Sequence, residues 1–248
     1  MPNHVLLNNL EHRDVRILTS YSAALGNNQM FSLTFVDELR SIQAHYPILF
    51  KRDTAGQYLP VALHGLQEHE NLFLTEHGWD ADYIPLSVQR QPFLIGFQST
   101  GGIASGASND KSPVIHLDMD SPRVSLTDGE PIFLPQGGNS PFINQIATVL
   151  QQIQLGVERN SQWSRYLTEY DLMEAVSLDL QLSPQHTQQL SGFYAIHEEK
   201  LAQLSAAQLG NLQQQALLQP IYMALASLSQ LRALIARKTA QLGFGITG

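Results

Sequence analysis

The stretch ILFKRDTAGQYLPVAL, residues 48–63, decides the fold. Ile48 to Lys51 is an apolar-rich run, Asp53 to Gly56 carries turn residues, and Tyr58 to Leu63 is a second run rich in β-forming side chains. Two such runs around a short polar turn read as a hairpin, so the chain is expected to contain an antiparallel sheet. Immediately upstream, Phe35, Leu39, Ile42 and Tyr46 recur at helical spacing behind Thr34, with Asp37 three residues on as a variant capping box, and Pro47 stops the helix.

Downstream the same logic extends the sheet. Val114 to Met119 reads as a strand, and Pro131 to Leu134 as another just past an Asp128-Gly129 turn. Ser140, Pro141, Phe142, Ile146, Val149 and Ile153 give a capped amphipathic helix with proline at its first position. Leu178, Leu180 and Leu182 alternate as one face of a strand, and Ser183-Pro184 turns the chain towards a partner strand through Phe193 to Ile196. Residues 198–242 read as helical: Ser205 and Gln208 form a capping box, and Pro220 opens a final helix carrying Ile221, Leu225, Leu228, Leu231 and Ile235. That stripe needs a partner surface, either the rest of the domain or a second copy in a homodimer through the C-terminal helix. The expected class is α+β, with a mostly antiparallel sheet in the N-terminal two thirds, packed helices, and a helical C-terminal part. A single domain over 1–248 is expected, interrupted by a flexible Gly/Ser-rich loop at 99–112.

Composition removes several functions. The 248 residues carry a net charge of −8, without a run of basic residues, so long-range attraction to nucleic acid is absent. No residue is cysteine, which excludes disulfides and thiolate chemistry. No segment reaches about 18 consecutive apolar residues, and Met1 to Asp14 lacks a basic and then apolar leader pattern, so a cytoplasmic protein without membrane insertion is expected.

Few residues are spaced for chemistry. His64, His69 and His77 lie among Glu68, Glu70 and Glu76, but His64 and His69 are five apart and do not share a helix face. His116-Leu117-Asp118 lies in a predicted strand and supplies two ligands of a facial triad for non-haem iron, with His186 or His197 as the available third. Gly106 precedes Lys111-Ser112 at phosphate-loop spacing, but Asp110 occupies the place of a required glycine. A Gly-x-Ser-x-Gly elbow is absent.

Trp79, Ala81, Tyr83, Ile84, Pro85, Arg90, Pro92 and Phe93 resemble the W-x-A-x-Y-[IV]-P…R-x-P-F signature of the bacterial SapC family. The resemblance continues through Tyr46-Pro47-Ile48, Glu70 to Phe73, Gly129 to Phe133 and Leu190 to Ile196, so it covers most of the chain. Gln89 and Gln91 stand where family members commonly carry a further arginine and an aromatic residue. The resemblance implies no established catalytic residue and no cofactor. It implies an accessory role, linked to nutrient uptake or to a flavin-dependent halogenase-like or cupin/JmjC-like partner. The expectation is a non-catalytic binding protein for another protein or peptide, with Trp79, Tyr83, Arg90 and Phe93 as candidate binding residues. The alternative is an iron oxygenase using His116 and Asp118. Trp79, Tyr83 and Phe93 also read as one aromatic core cluster.

Overall fold

The computed structural model describes residues 3–99, 111–183 and 186–243. In chain order come β1 (His4–Leu6), β2 (Arg16–Ile17), β3 (Phe31–Leu33), α1 (Leu39–Ile42), β4 (Ile48–Arg52) and β5 (Tyr58–Leu63). Then follow β6 (Leu74–Thr75), β7 (Gly78–Trp79), α2 (Leu86–Gln89), β8 (Phe93–Ser99), β9 (Lys111–Asp118), β10 (Val124–Ser125) and β11 (Glu130–Pro131). The long α3 (Pro141–Glu169) leads to β12 (Met173–Ser183) and β13 (His186–Ile196), and the chain continues as α4 (Glu198–Ala202), α5 (Ala206–Gln214), α6 (Leu218–Ser227) and α7 (Gln230–Gln241).

The opening hairpin is the heart of a five-stranded antiparallel sheet ordered β12-β13-β4-β5-β3. The late hairpin joins it by pairing Tyr194 with Phe50, so residues 144 apart in the chain meet in one layer. Two smaller sheets, β1-β9-β8 and β10-β2-β11, cover a second core. The fold is α+β, as the patterning predicts.

Helix α3 connects the two cores. Ser140 caps it by accepting from the Ile143 N–H, and Pro141 sits where the missing N–H costs nothing. Its first turns bury Ile143, Ile146 and Leu150 against the second core, and its last turns bury Trp163 and Leu167 in the main one. Between them Gly156 crosses the 3-10 turn at Val36–Glu38, where a Cβ would come within 2.7 Å of the Phe35 ring. Buried Asn160 locks the crossing by accepting from the Val36 N–H and donating to the Thr34 carbonyl, at 3.0 and 2.8 Å.

Four expectations are corrected. The first helix is not capped by Thr34 with Asp37: Glu38 accepts from both the Thr34 hydroxyl and the Phe35 N–H, and regular helix begins only at Leu39. The strand expected over Pro131 to Leu134 is limited to Glu130–Pro131, because its partner β2 is two residues long. The final helix divides into α6 and α7 at Leu228-Ser229, although its apolar stripe packs on the main core. Finally, Ser99, Lys111 and Ser112, the ends of the loop expected at 99–112, are strand residues in register across β8 and β9; residues 100–110 lie outside the described residues. No helix among the described residues is long and apolar enough to cross a membrane.

Candidate functional site

The segment from Trp79 to Phe93 does not form one aromatic cluster. Trp79 and Tyr83 are half-buried at the margin of the main core, whereas Phe93 is wholly buried in the second, with its ring 6.0 Å from that of Phe142. The reason is the path of the chain: α2 carries it from one core to the other in a single turn.

Trp79 and Tyr83 are held by a hydrogen-bond relay. The Trp79 indole N–H donates to the Tyr46 hydroxyl at 2.7 Å, Tyr46 donates to the Tyr83 carbonyl at 2.5 Å, and the Tyr83 hydroxyl donates to Glu38 at 2.8 Å. Glu38 also accepts from Thr34, Phe35 and Leu86, so this buried carboxylate has four donors. Burial raises its pKa, and the hydrogen bonds from Leu86, Thr34, Tyr83 and Phe35 oppose that rise. Burial also raises the pKa of both tyrosines, which are therefore neutral hydrogen-bonding groups and not bases.

A second polar pair lies beside this relay. The Ser32 hydroxyl and His64 Nε2 are 2.8 Å apart, the spacing of a nucleophile and its base, but Ser32 and His64 are both buried and Nδ1 of His64 has no hydrogen-bond partner among the described residues. The imidazole is enclosed by the rings of Tyr46, Phe73 and Trp79. The contact ties β3 to the residue that follows β5.

Burial lowers the pKa of His64 from 6.5 to about 3. Above 6.5 the folded and unfolded forms are both neutral. As pH falls from 6.5 towards 3, the unfolded chain takes up a proton that the folded one refuses, so stability is lost through that window. Glu38 acts with the opposite sign: its raised pKa costs stability as pH rises above the ordinary value of 4.5. We expect the melting temperature to fall between pH 6.5 and 4, and His64→Leu to flatten that limb relative to the parent. Parallel slopes in the two proteins would contradict this.

The metal candidates are not assembled. His116 and Asp118 lie in the β1-β9-β8 sheet, whereas His186 opens β13 and His197 follows it, in the five-stranded sheet. The His116 ring instead lies over Gly96, where a Cβ would collide with it. His64 is buried while His69 and His77 are exposed, and Glu70 is paired with Lys238. Among the described residues no three His, Cys, Asp or Glu side chains group as a metal site.

What the signature segment does line is a set of hollows. Trp79, with Phe73, Asp80 and Arg237, borders a cavity of about 420 Å³ near α7. Tyr83 and Leu86, with Phe35, Glu38, Gln152 and Leu155, border one of about 210 Å³. Val88, Gln89 and Gln91 border a third of about 420 Å³, closed by Ile17, Tyr21 and Arg123 on one side and by Phe142, Gln145, Ile146 and Val149 on the other. The second and third lie along the same helix: Phe142, Gln145, Ile146 and Val149 of α3 line the larger, Gln152 and Leu155 the smaller, and Leu86, Val149 and Ile153 pack in one buried cluster beside them. The two hollows follow α3 for about 20 Å, from the helix rise of 1.5 Å per residue, as an interrupted groove beside α2.

Among the expected binding residues, the groove takes in Tyr83 but not Trp79, and neither Arg90 nor Phe93 lines any of the three hollows. Arg90 is half-buried and donates to the Phe93 carbonyl at 2.7 Å, which fixes the turn leading into β8. The residues that sequence reasoning missed are Glu38, Arg123, Gln145 and Gln152. Only the spacing of Gln145, Val149 and Gln152 on one predicted helix offered a signal, and it becomes readable once α2 is known to cover that face.

Fold and site together define an α+β protein with a helix-lined groove. A family model described as SapC matches residues 7–234, and the chain belongs to the SapC family, as the Trp79 to Phe93 motif implied. No curated protein and no solved structure matches the chain.

Proposed function

We propose that this chain is a non-catalytic binding protein and that the groove between α2 and α3 receives an extended segment of a partner protein. The observation that carries the reading is the common lining: α3 contributes to both hollows, and so does the signature segment, through Tyr83 and Leu86 in one and Val88, Gln89 and Gln91 in the other. About 20 Å accommodates roughly six residues of extended chain at 3.3 Å each. Gln145 and Gln152, both exposed, offer donors and acceptors to a peptide backbone, while Leu155 offers exposed apolar surface to its side chains. An accessory role beside an enzyme, implied by the family resemblance, suits such a groove.

The test uses fluorescein-labelled hexapeptide pools and anisotropy. Gln145 is exposed, so Gln145→Trp fills the groove without disturbing the core, and its melt should match that of the parent. Binding of the pools by the parent and its loss in Gln145→Trp is the expected result. Equal binding by both proteins would place the partner elsewhere.

A further inference from the structure

We infer that the Arg123 end of this groove recognises a carboxylate, carried either at a peptide C-terminus or on an acidic side chain within an apolar segment. The inference rests on the groove reading above and specifies its ligand.

Arg123 is only 3% exposed, yet it forms no ion pair among the described residues. Its guanidinium donates to the carbonyls of Leu18 and Ser20, each at 2.9 Å, and to the Asn27 side-chain oxygen at 2.7 Å. Its Nε is buried without a partner among the described residues, and the group sits 5.4 Å from the centre of the Tyr21 ring. Its contacts among the described residues are all neutral, so its positive charge at the cavity lining is unpaired there. Buried charges are ordinarily paired, because the cost of desolvation is otherwise unrecovered.

Two further features bear on the sign. The cavity is also lined by Pro141 and Phe142 in the first turn of α3, whose N-terminus adds partial positive charge. Glu130 lines the same cavity with the opposite charge, but it is exposed, so water and salt screen it more than they screen the guanidinium. The field inside therefore favours an anion. Ile17, Val88, Phe142, Ile146 and Val149 around it favour an apolar body next to that anion, which excludes a bare inorganic ion as the best fit.

Three hexapeptide pools test this on the full chain: one with a free C-terminal carboxylate, one amidated and lacking acidic residues, and one amidated with a single Asp. The acid pool, the Asp pool or both should bind about tenfold more tightly than the neutral pool, the scale of one charged hydrogen bond, and which of them does identifies the source. Glu130→Gln, at an exposed position on the same cavity, should increase that preference. Arg123→Gln, provided it melts cooperatively, should abolish it. Equal affinity for all pools, still lost in Gln145→Trp, would overturn the carboxylate inference and leave the groove standing. A carboxylate preference that survives both Gln145→Trp and Glu130→Gln unaltered would also overturn it, since the anion would then bind elsewhere. Failure of every pool to bind the parent would overturn the groove reading and this inference with it.

Discussion

Lys238→Met is expected to lower the stability of the chain by about 3–5 kcal/mol, because it leaves the carboxylate of Glu70 buried without its cation. The side chains of Lys238 and Glu70 are 8% and 7% exposed, and their ion pair joins α7 to the loop after β5 across most of the chain length. The other Glu70 oxygen accepts from the Leu66 N–H at 2.8 Å, so the carboxylate cannot turn towards solvent without giving up that bond. A loss of this size is a large share of the 5–15 kcal/mol typical of a whole protein. Lys238→Met combined with Glu70→Gln should recover most of it, since the amide keeps an acceptor for Leu66 and carries no charge. Urea melts of the single and double variants check the prediction, and a single variant within about 1 kcal/mol of the parent would show the pair to be solvated.

Phe93→Ala carries the second large effect, again about 3–5 kcal/mol, as expected for emptying a fully buried aromatic site. Phe93 begins β8 in register with Leu117, and its ring meets Phe142, which also lines the groove. The cavity left behind should therefore weaken peptide binding as well as stability. Trp79→Ala should cost less, because Trp79 is half-buried and borders a hollow, although its indole N–H holds Tyr46. Comparable losses for the two variants would mean that Trp79 is packed as tightly as Phe93.

The contrast between these two aromatics shows what the sequence carried and what it did not. Hairpin chemistry around Asp53 to Gly56, the Ser140-Pro141 cap and the Ser205/Gln208 box are local signals, and all three elements formed where local rules place them. The motif from Trp79 to Phe93 was legible as a unit, and it does border the groove. Its division between two cores was not legible, because only the course of α2 separates them. The remaining determinants are long-range. Glu38 gathers donors from Tyr83 and Leu86, 45 and 48 residues on, and Arg123 reaches acceptors more than 90 residues away, so no short window of sequence contains both sides of these contacts. Lys238 is equally illegible from any local window. Its partner lies 168 residues earlier.

Hydrogen–deuterium exchange, with and without saturating free-acid hexapeptide, tests the groove most directly, because it reports where ligand protects backbone amides in the unmodified chain. The account predicts slowed exchange in residues 83–91 and in the first half of α3, from Phe142 to Leu155, with α7 and the Trp79 hollow unchanged. Protection confined to α7 and residues 79–82, with the α2 and α3 amides exchanging as in the free protein, would contradict it.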